Sequence, residues 1–202
     1  MNMVDKEVTT FTPSNRQEWR TWLEQNHSHK QAVWLIYHKK SAQIPSITWS
    51  EAVDEALCFG WIDSLAKPVD SQRYMQFFSK RKPKSGWSKI NKDKVEKLIE
   101  DGLMASAGFA VIETAKQNGS WSLLDEVENI VVPADLDEAL ADNPAAYEFF
   151  QTLSRSDKRN LLQWLVLAKK IETREKRIKE IIEFAAQKLK PGILKWTKKP
   201  KP

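Results

Sequence analysis

Three stretches of the chain hold residues whose types and spacing could do chemistry. The first is Cys58-Phe59-Gly60-Trp61-Ile62-Asp63-Ser64, where a sharp helix-to-strand turn presents Asp63 beside Trp61 in an apolar setting. A carboxylate there either carries the perturbed pKa typical of functional acids or is structural, accepting backbone N–H bonds or pairing with an arginine. The second runs from Phe78 to Asn91, where the basic loop Lys80-Arg81-Lys82-Pro83-Lys84-Ser85-Gly86 leads into a helix capped by Ser88. Free N–H groups and the helix dipole favour an anion at such an N-terminus. Arg81 adds a planar fork suited to phosphate or carboxylate, and Trp87 a stacking face. If residues 61–64 lie against this loop, then Trp61, Asp63, Ser64, Arg81, Trp87, Ser88 and Asn91 line one cleft for a small anion. The competing reading is a solvated basic loop whose tryptophan closes the core. The third stretch, Lys169 to Arg177, puts Arg174 and Arg177 on one helix face. Pairing between helices accounts for them, and a ligand role for Arg174 is the alternative. Glu51, Asp54 and Glu55, at i, i+3 and i+4, read as a solvated helix face, or more remotely as a loose site for a hard cation.

Much chemistry is missing from the sequence. Gly-Lys-Ser/Thr never occurs, so there is no phosphate loop of that kind, and no serine sits in a nucleophile elbow. His27, His29 and His38 lack the spacing of a metal-binding helix, and His27-Ser28-His29 reads as a solvated turn. Cys58 is the single cysteine, which excludes a disulfide framework and fits a reducing cytoplasm. It lies on an apolar helix face and reads as a small buried hydrophobe. No catalytic residue, cofactor or metal is expected.

The elements that must position these residues follow from periodicity and punctuation. Ser14 with Gln17 predicts a helix over 14–25 with Trp19, Trp22 and Leu23 inward. Ala32–Lys39 reads as a strand, and Thr48 with Glu51 forms a capping box opening a helix that Gly60 ends. Trp61–Leu65 and Arg73–Ser79 are strands. Ser88 caps a helix to about Asp101 with Val95, Leu98 and Ile99 inward, and another helix spans about 105–117. Further on, Asp135 caps 136–142 and Asn143-Pro144 opens a helix. Ser156 caps 157–171, and Thr173 starts a helix to about Leu189 with Ile178, Ile181, Ile182, Ala185 and Leu189 inward. The fold class is α+β. A small sheet with packed helices fills 10–125, an all-helical module fills 134–192, and 193–202 is a basic, flexible tail.

The length of 202 residues is enough to bury a core without disulfides, and nine Trp and eight Phe make that core bulky. No apolar run reaches the length of a membrane span, and the start, MNMVDKEVTTFTP, has no signal-peptide pattern. The net charge of +5 is uneven. Residues 80–97 carry eight Lys or Arg against two acids, and the last fifteen residues six Lys and no acid, which leaves the remainder acidic.

The stretches Glu55 to Ser64, Phe78-Ser79 through Trp87-Ser88 with Asn91, and Ala168-Lys169 with Glu172-Thr173-Arg174 and Arg177-Ile178 together resemble the YdeI/OmpD-associated family. That family is also labelled bacteriocin-protection, and the resemblance spans about residues 10–192. The loop reads Ser79-Lys80-Arg81 where the family more usually has Ser-Pro-Arg, with Arg81 as the match. The part from about 134 onward resembles the family's OmdA module, and the part before it a YdhG/YdeI-like domain. The resemblance implies a bacterial, cytoplasmic protein linked to bacteriocin tolerance or envelope stress. It brings no reaction, cofactor or catalytic residue. Three functions compete. The first is binding of a small anion in the cleft, and the second is nucleic-acid binding through 80–97 and the Lys-rich tail, with Trp87 and Trp196 stacking bases. The third is an adaptor role in which the helical module binds a protein partner.

Overall fold

Alternation along Ala32–His38 (β2) sets the sheet: Val33, Leu35 and Tyr37 are buried, while Trp34, Ile36 and His38 are half-buried. The computed structural model describes residues 8–195. In it β2 pairs in parallel with a two-residue strand, Thr10–Phe11, which precedes it in the chain (β1). Two further strands, Trp61–Pro68 (β3) and Arg73–Lys80 (β4), form an antiparallel hairpin, and β4 pairs with β2, so the order is β1-β2-β4-β3. The register opposes Val33 to Phe78, Leu35 to Gln76 and Tyr37 to Tyr74, which places these six side chains on one face.

That face meets two helices, Arg16–Asn26 (α1) and Trp49–Cys58 (α2). Trp19 and Leu23 of α1 are fully buried, with the Trp19 indole N–H on the Ala52 carbonyl at 3.0 Å and its ring edge-on to Phe78 at 5.5 Å. The α2 capping box forms as expected: the Thr48 hydroxyl accepts from the Glu51 N–H, and the Glu51 carboxylate accepts from the Thr48 N–H. The α1 cap sits one residue later than predicted. Asn15 accepts from the Glu18 N–H, while the Ser14 N–H donates to the Glu18 carboxylate. Two more helices, Lys89–Glu100 (α3, capped by Ser88) and Ser106–Gln117 (α4), complete the unit Met1–Trp121. Val95 and Leu98 of α3 are buried, whereas Ile99 faces solvent.

Among its described residues the unit Ser122–Pro202 is helical: Asp125–Glu128 (α5), Ala134–Ala141 (α6), Pro144–Thr152 (α7), Arg155–Val166 (α8), Ile171–Ala186 (α9) and Gly192–Lys195 (α10). Asn143 caps α7 with proline in the first turn, as its sequence requires. Other starts differ from expectation. Ser154, not Ser156, caps α8, a frame that buries Leu161, Leu162 and Leu165. The α9 helix begins at Ile171, before Thr173, without a side-chain cap. Asp135 lies inside the first turn of α6, which starts one residue before it, at Ala134, after an extended Pro133, and its carboxylate accepts from Arg174 and from the Leu136 N–H. Ile181 and Ala185 are buried as expected, but Leu189 is half exposed. The expected basic tail begins inside α10, whose Leu194 is buried, and its residues 196–202 lie outside the described residues. Among the described residues no helix is long and apolar enough to cross a membrane.

Candidate functional site

The turn between α2 and β3 is held by close backbone approach. Gly60 has φ +72°, and a Cβ there would sit 2.6 Å from the Val111 side chain. A Cβ on Gly108 would meet the Cys58 carbonyl oxygen at 2.4 Å, so α4 is drawn onto the end of α2. The Gly60 carbonyl in turn accepts from the Arg81 backbone N–H at 2.9 Å, which fixes where the basic loop leaves the sheet.

Arg81 is only 7% exposed. Its guanidinium carbon lies over the Trp87 ring, 3.6 Å from the centroid, and Nη2 donates to the Gly86 carbonyl at 2.5 Å. Among the described residues, Nε and Nη1 have no hydrogen-bond partner and no carboxylate pairs with the group. Burial pulls its pKa down to about 10. Trp87 is buried and tilts against Trp121 at 4.9 Å. Ser88, next in the chain, caps α3 by accepting from the Asn91 N–H, which leaves the α3 N-terminus beside the Arg81–Trp87 stack. Trp61 is fully buried, and its indole N–H also lacks an acceptor among the described residues. The loop that wraps Arg81 is itself anchored, since the Pro83 carbonyl accepts from Asn118 at 2.9 Å and Ser120 at 3.0 Å.

The single cleft expected from the sequence divides. Arg81, Trp87, Ser88 and Asn91 come together, with Gly60 and Trp61 at the adjoining strand end. Asp63 does not join them. It opposes Phe78, three residues from Arg81, or about 10 Å along the strand. Its Oδ2 accepts instead from the Trp49 indole N–H and the Gln76 amide, each at 3.0 Å. Ser64 is exposed and contributes its carbonyl, which accepts from the same Gln76 amide at 3.0 Å. Arg174 belongs to the second unit, where it is paired: Nε and Nη2 donate to Asp135 at 2.5 and 2.8 Å, and Nη1 to the Leu165 carbonyl at 3.4 Å. Arg177 donates to the Trp164 carbonyl with its guanidinium over that ring. Both arginines tie helices of the module together.

The acidic trio on α2 is not a solvated face. Glu51 is spent in the capping box, and Asp54 pairs with Lys94. Glu55 is 2% exposed, holding Arg16 at 2.5 Å and Arg20 at 2.8 Å. The i, i+4 spacing of Arg16 and Arg20 on α1 was the signal to read. Cys58 is fully buried, and burial first, then the Glu55 charge, pushes its thiol up to about 11, far from thiolate chemistry. Among the described residues no three His, Cys, Asp or Glu side chains gather as a metal would require. The residues missed by sequence reasoning were Trp49, Tyr37 and Gln76, each on a different element, Tyr37 and Gln76 related by the β2–β4 register and Trp49 joined through its bond to Asp63.

Comparison with protein families bears on both units. Residues 11–111, half of the chain, match the model of a domain of unknown function (DUF8412), and residues 129–188 match OmdA, described as bacteriocin-protection, YdeI or OmpD-associated. The chain belongs to the DUF8412 family and carries a YdeI/OmpD-associated OmdA module. No curated protein and no solved structure matches it. The OmdA match falls on the helical unit, and the DUF8412 match begins at the second residue of β1, takes in β2, β3 and β4 and ends within α4.

Proposed function

We propose that this DUF8412–OmdA protein is a non-enzymatic binder of a small anion, a phosphate or carboxylate, seated on Arg81 at the N-terminus of α3. The observation that carries the reading is the Arg81 guanidinium, more than nine-tenths buried with two of its three nitrogens lacking an acceptor among the described residues. A buried cation normally carries a counter-charge, because desolvation is otherwise uncompensated. An anion on Nε and Nη1 supplies that charge, and the neighbouring α3 N-terminus favours the same sign. Lys82 and Lys84, exposed on the covering loop, raise the local concentration of anions. The acid Asp63 plays no part in this seat, so it offers no general acid or base to an anion bound there.

The burial of Trp87 under Arg81 bears on the nucleic-acid reading, since no face of that ring is open to a base. Trp196, the other stacking candidate, lies outside the described residues. The cellular setting we propose is the bacterial cytoplasm, with the anion-bound form acting in bacteriocin tolerance or envelope stress. The test is calorimetric titration of the full chain with inorganic phosphate and with citrate at low and moderate salt. Saturable binding that persists at moderate salt and is lost in Arg81→Met supports the reading. No heat with either anion, or equal binding by Arg81→Met, overturns it.

The adaptor reading keeps one observation of its own. In the helical unit an open groove is lined by Ile178 and Ile182 and by Asp142, Glu175, Glu183 and one lysine, Lys179, 3.7 Å from Glu183, so its charged lining is net acidic. An apolar and net acidic lining suits a basic amphipathic segment of a protein partner.

A further inference from the structure

The acid that does not reach Arg81 sits in a polar cluster with its own chemistry. Asp63, Gln76 and Tyr37 share the helix-covered face of the sheet, Tyr37 lying diagonally from Gln76 across the β2–β4 pairing. Trp49, the first residue of α2, closes the cluster from the helix side through its bond to Asp63. One oxygen of Asp63 is saturated by two N–H donors, while Oδ1 accepts from no group among the described residues. The Gln76 amide nitrogen is likewise spent, on Asp63 and the Ser64 carbonyl, which leaves its oxygen as an acceptor. The Tyr37 hydroxyl is fully buried and has no partner among the described residues. Its ring is stacked on Tyr74 at 4.8 Å and 7°. Trp49 is 48% exposed, so an aromatic face stands open to solvent beside the carboxylate that fixes it.

We propose that Asp63, Trp49, Gln76 and Tyr37 form a site for a small organic cation, an ammonium or guanidinium group, separate from the anion seat at Arg81. The open hydrogen-bonding capacity of the cluster consists of the Asp63 and Gln76 oxygens and the Tyr37 hydroxyl, so the complementary ligand brings N–H donors and positive charge. The Trp49 and Tyr74 rings add cation–π attraction, which an organic cation uses better than a strongly hydrated alkali ion. A divalent metal does not fit, because among the described residues Asp63 belongs to no group of three His, Cys, Asp or Glu side chains that could hold one. The Asp63 charge excludes anions, which keeps the two sites chemically distinct although both belong to one unit.

The test follows the Trp49 indole N–H of the full chain by two-dimensional ¹H–¹⁵N NMR, the resonance being assigned as the indole signal that vanishes in Trp49→Phe. Methylguanidinium chloride and tetramethylammonium chloride are titrated against sodium chloride at matched ionic strength. A saturable movement of the Trp49 signal with an organic cation, absent with sodium, is expected. Asp63→Asn keeps an amide oxygen for Trp49 and Gln76 but removes the charge, and should weaken the apparent Kd by roughly tenfold or more. Tyr37→Phe keeps the stack on Tyr74, removes only the hydroxyl, and should weaken methylguanidinium binding even if Asp63→Asn fails to fold. Arg81→Met should leave the cation titration unchanged, which separates failure of this site from failure of the anion seat. No movement with either organic cation, equal movement with sodium, or wild-type affinity in both Asp63→Asn and Tyr37→Phe overturns the proposal.

Discussion

Glu55 and Arg81 are both charged, both more than nine-tenths buried and both in the same unit, yet their surroundings are opposite. Glu55 is held by two arginines, and one of them, Arg20, reaches on to the Leu103 carbonyl at 3.0 Å and lies over the Phe59 ring. Its charge is neutralised and its oxygens are occupied, so it behaves as a rivet between α1 and α2. Arg81 has one carbonyl and one aromatic face. Burial alone therefore does not mark a functional charge; burial without a counter-charge does.

The contrast breaks first at the rivet. Glu55→Gln leaves Arg16 without its carboxylate and Arg20 with only Glu24, at 3.3 Å, and should cost about 3 kcal/mol, the low end of the range for one partner removed from a buried pair because both arginines are partly exposed, read as a lowered urea midpoint. A wild-type midpoint in Glu55→Gln would mean that buried pairing contributes nothing here. Next comes Gly60→Ala, which forces a Cβ into the left-handed region against Val111 and should cost about 1–3 kcal/mol. That loss would also displace the carbonyl that receives the Arg81 N–H, so anion binding should weaken with it.

Arg81→Met should behave in the opposite sense to Glu55→Gln. It removes an uncompensated buried cation, so the melting temperature should hold or rise, by up to about 1–4 kcal/mol in stability, while the anion response disappears. A large loss of stability in Arg81→Met would erase the distinction between the two charges. The smallest effect belongs to the helical unit. Hydrogen bonds from Arg174 hold the Asp135 carboxyl below its usual range, and those from Lys190 do the same for Asp157. A carboxyl depressed in the folded state stabilises above its unfolded pKa and loses that contribution as the pH falls through the folded value. Stability should therefore decline as the pH drops below about 4, and Arg174→Met should flatten that decline by at most about 1 kcal/mol, since the Asp135 pair is solvent-screened.

What the sequence announced was local. The alternation at 32–38, the Thr48–Glu51 box, the stop at Gly60 and the Asn143-Pro144 start each depend on residues a few positions apart, and each forms. The α+β class followed from them. Features that depend on distant partners were not legible. Glu55 looked solvated because its arginines lie 39 and 35 residues away. β1 has two residues, too few for any period. Asp63 and Arg81 looked like neighbours in one cleft, but the β3–β4 register sets them three pairs apart, and an irregularity follows Asp63 directly. Serines 154 and 156 offer the same chemistry, and only the burial of Leu161 and Leu165 chooses between them.

The strand order has a consequence for how the chain is born. β2 lies between β1 and β4, so the middle of the sheet stays open until residue 80 has been made. A nascent chain emerging N-terminus first therefore carries the backbone N–H and C=O groups along one edge of β2 unpaired for some forty residues of synthesis, while β3 and β4 are joined by a short turn and can zip together as soon as both exist. The hairpin is thus made last and assembled first, and β1 and β2 dock onto it as a template.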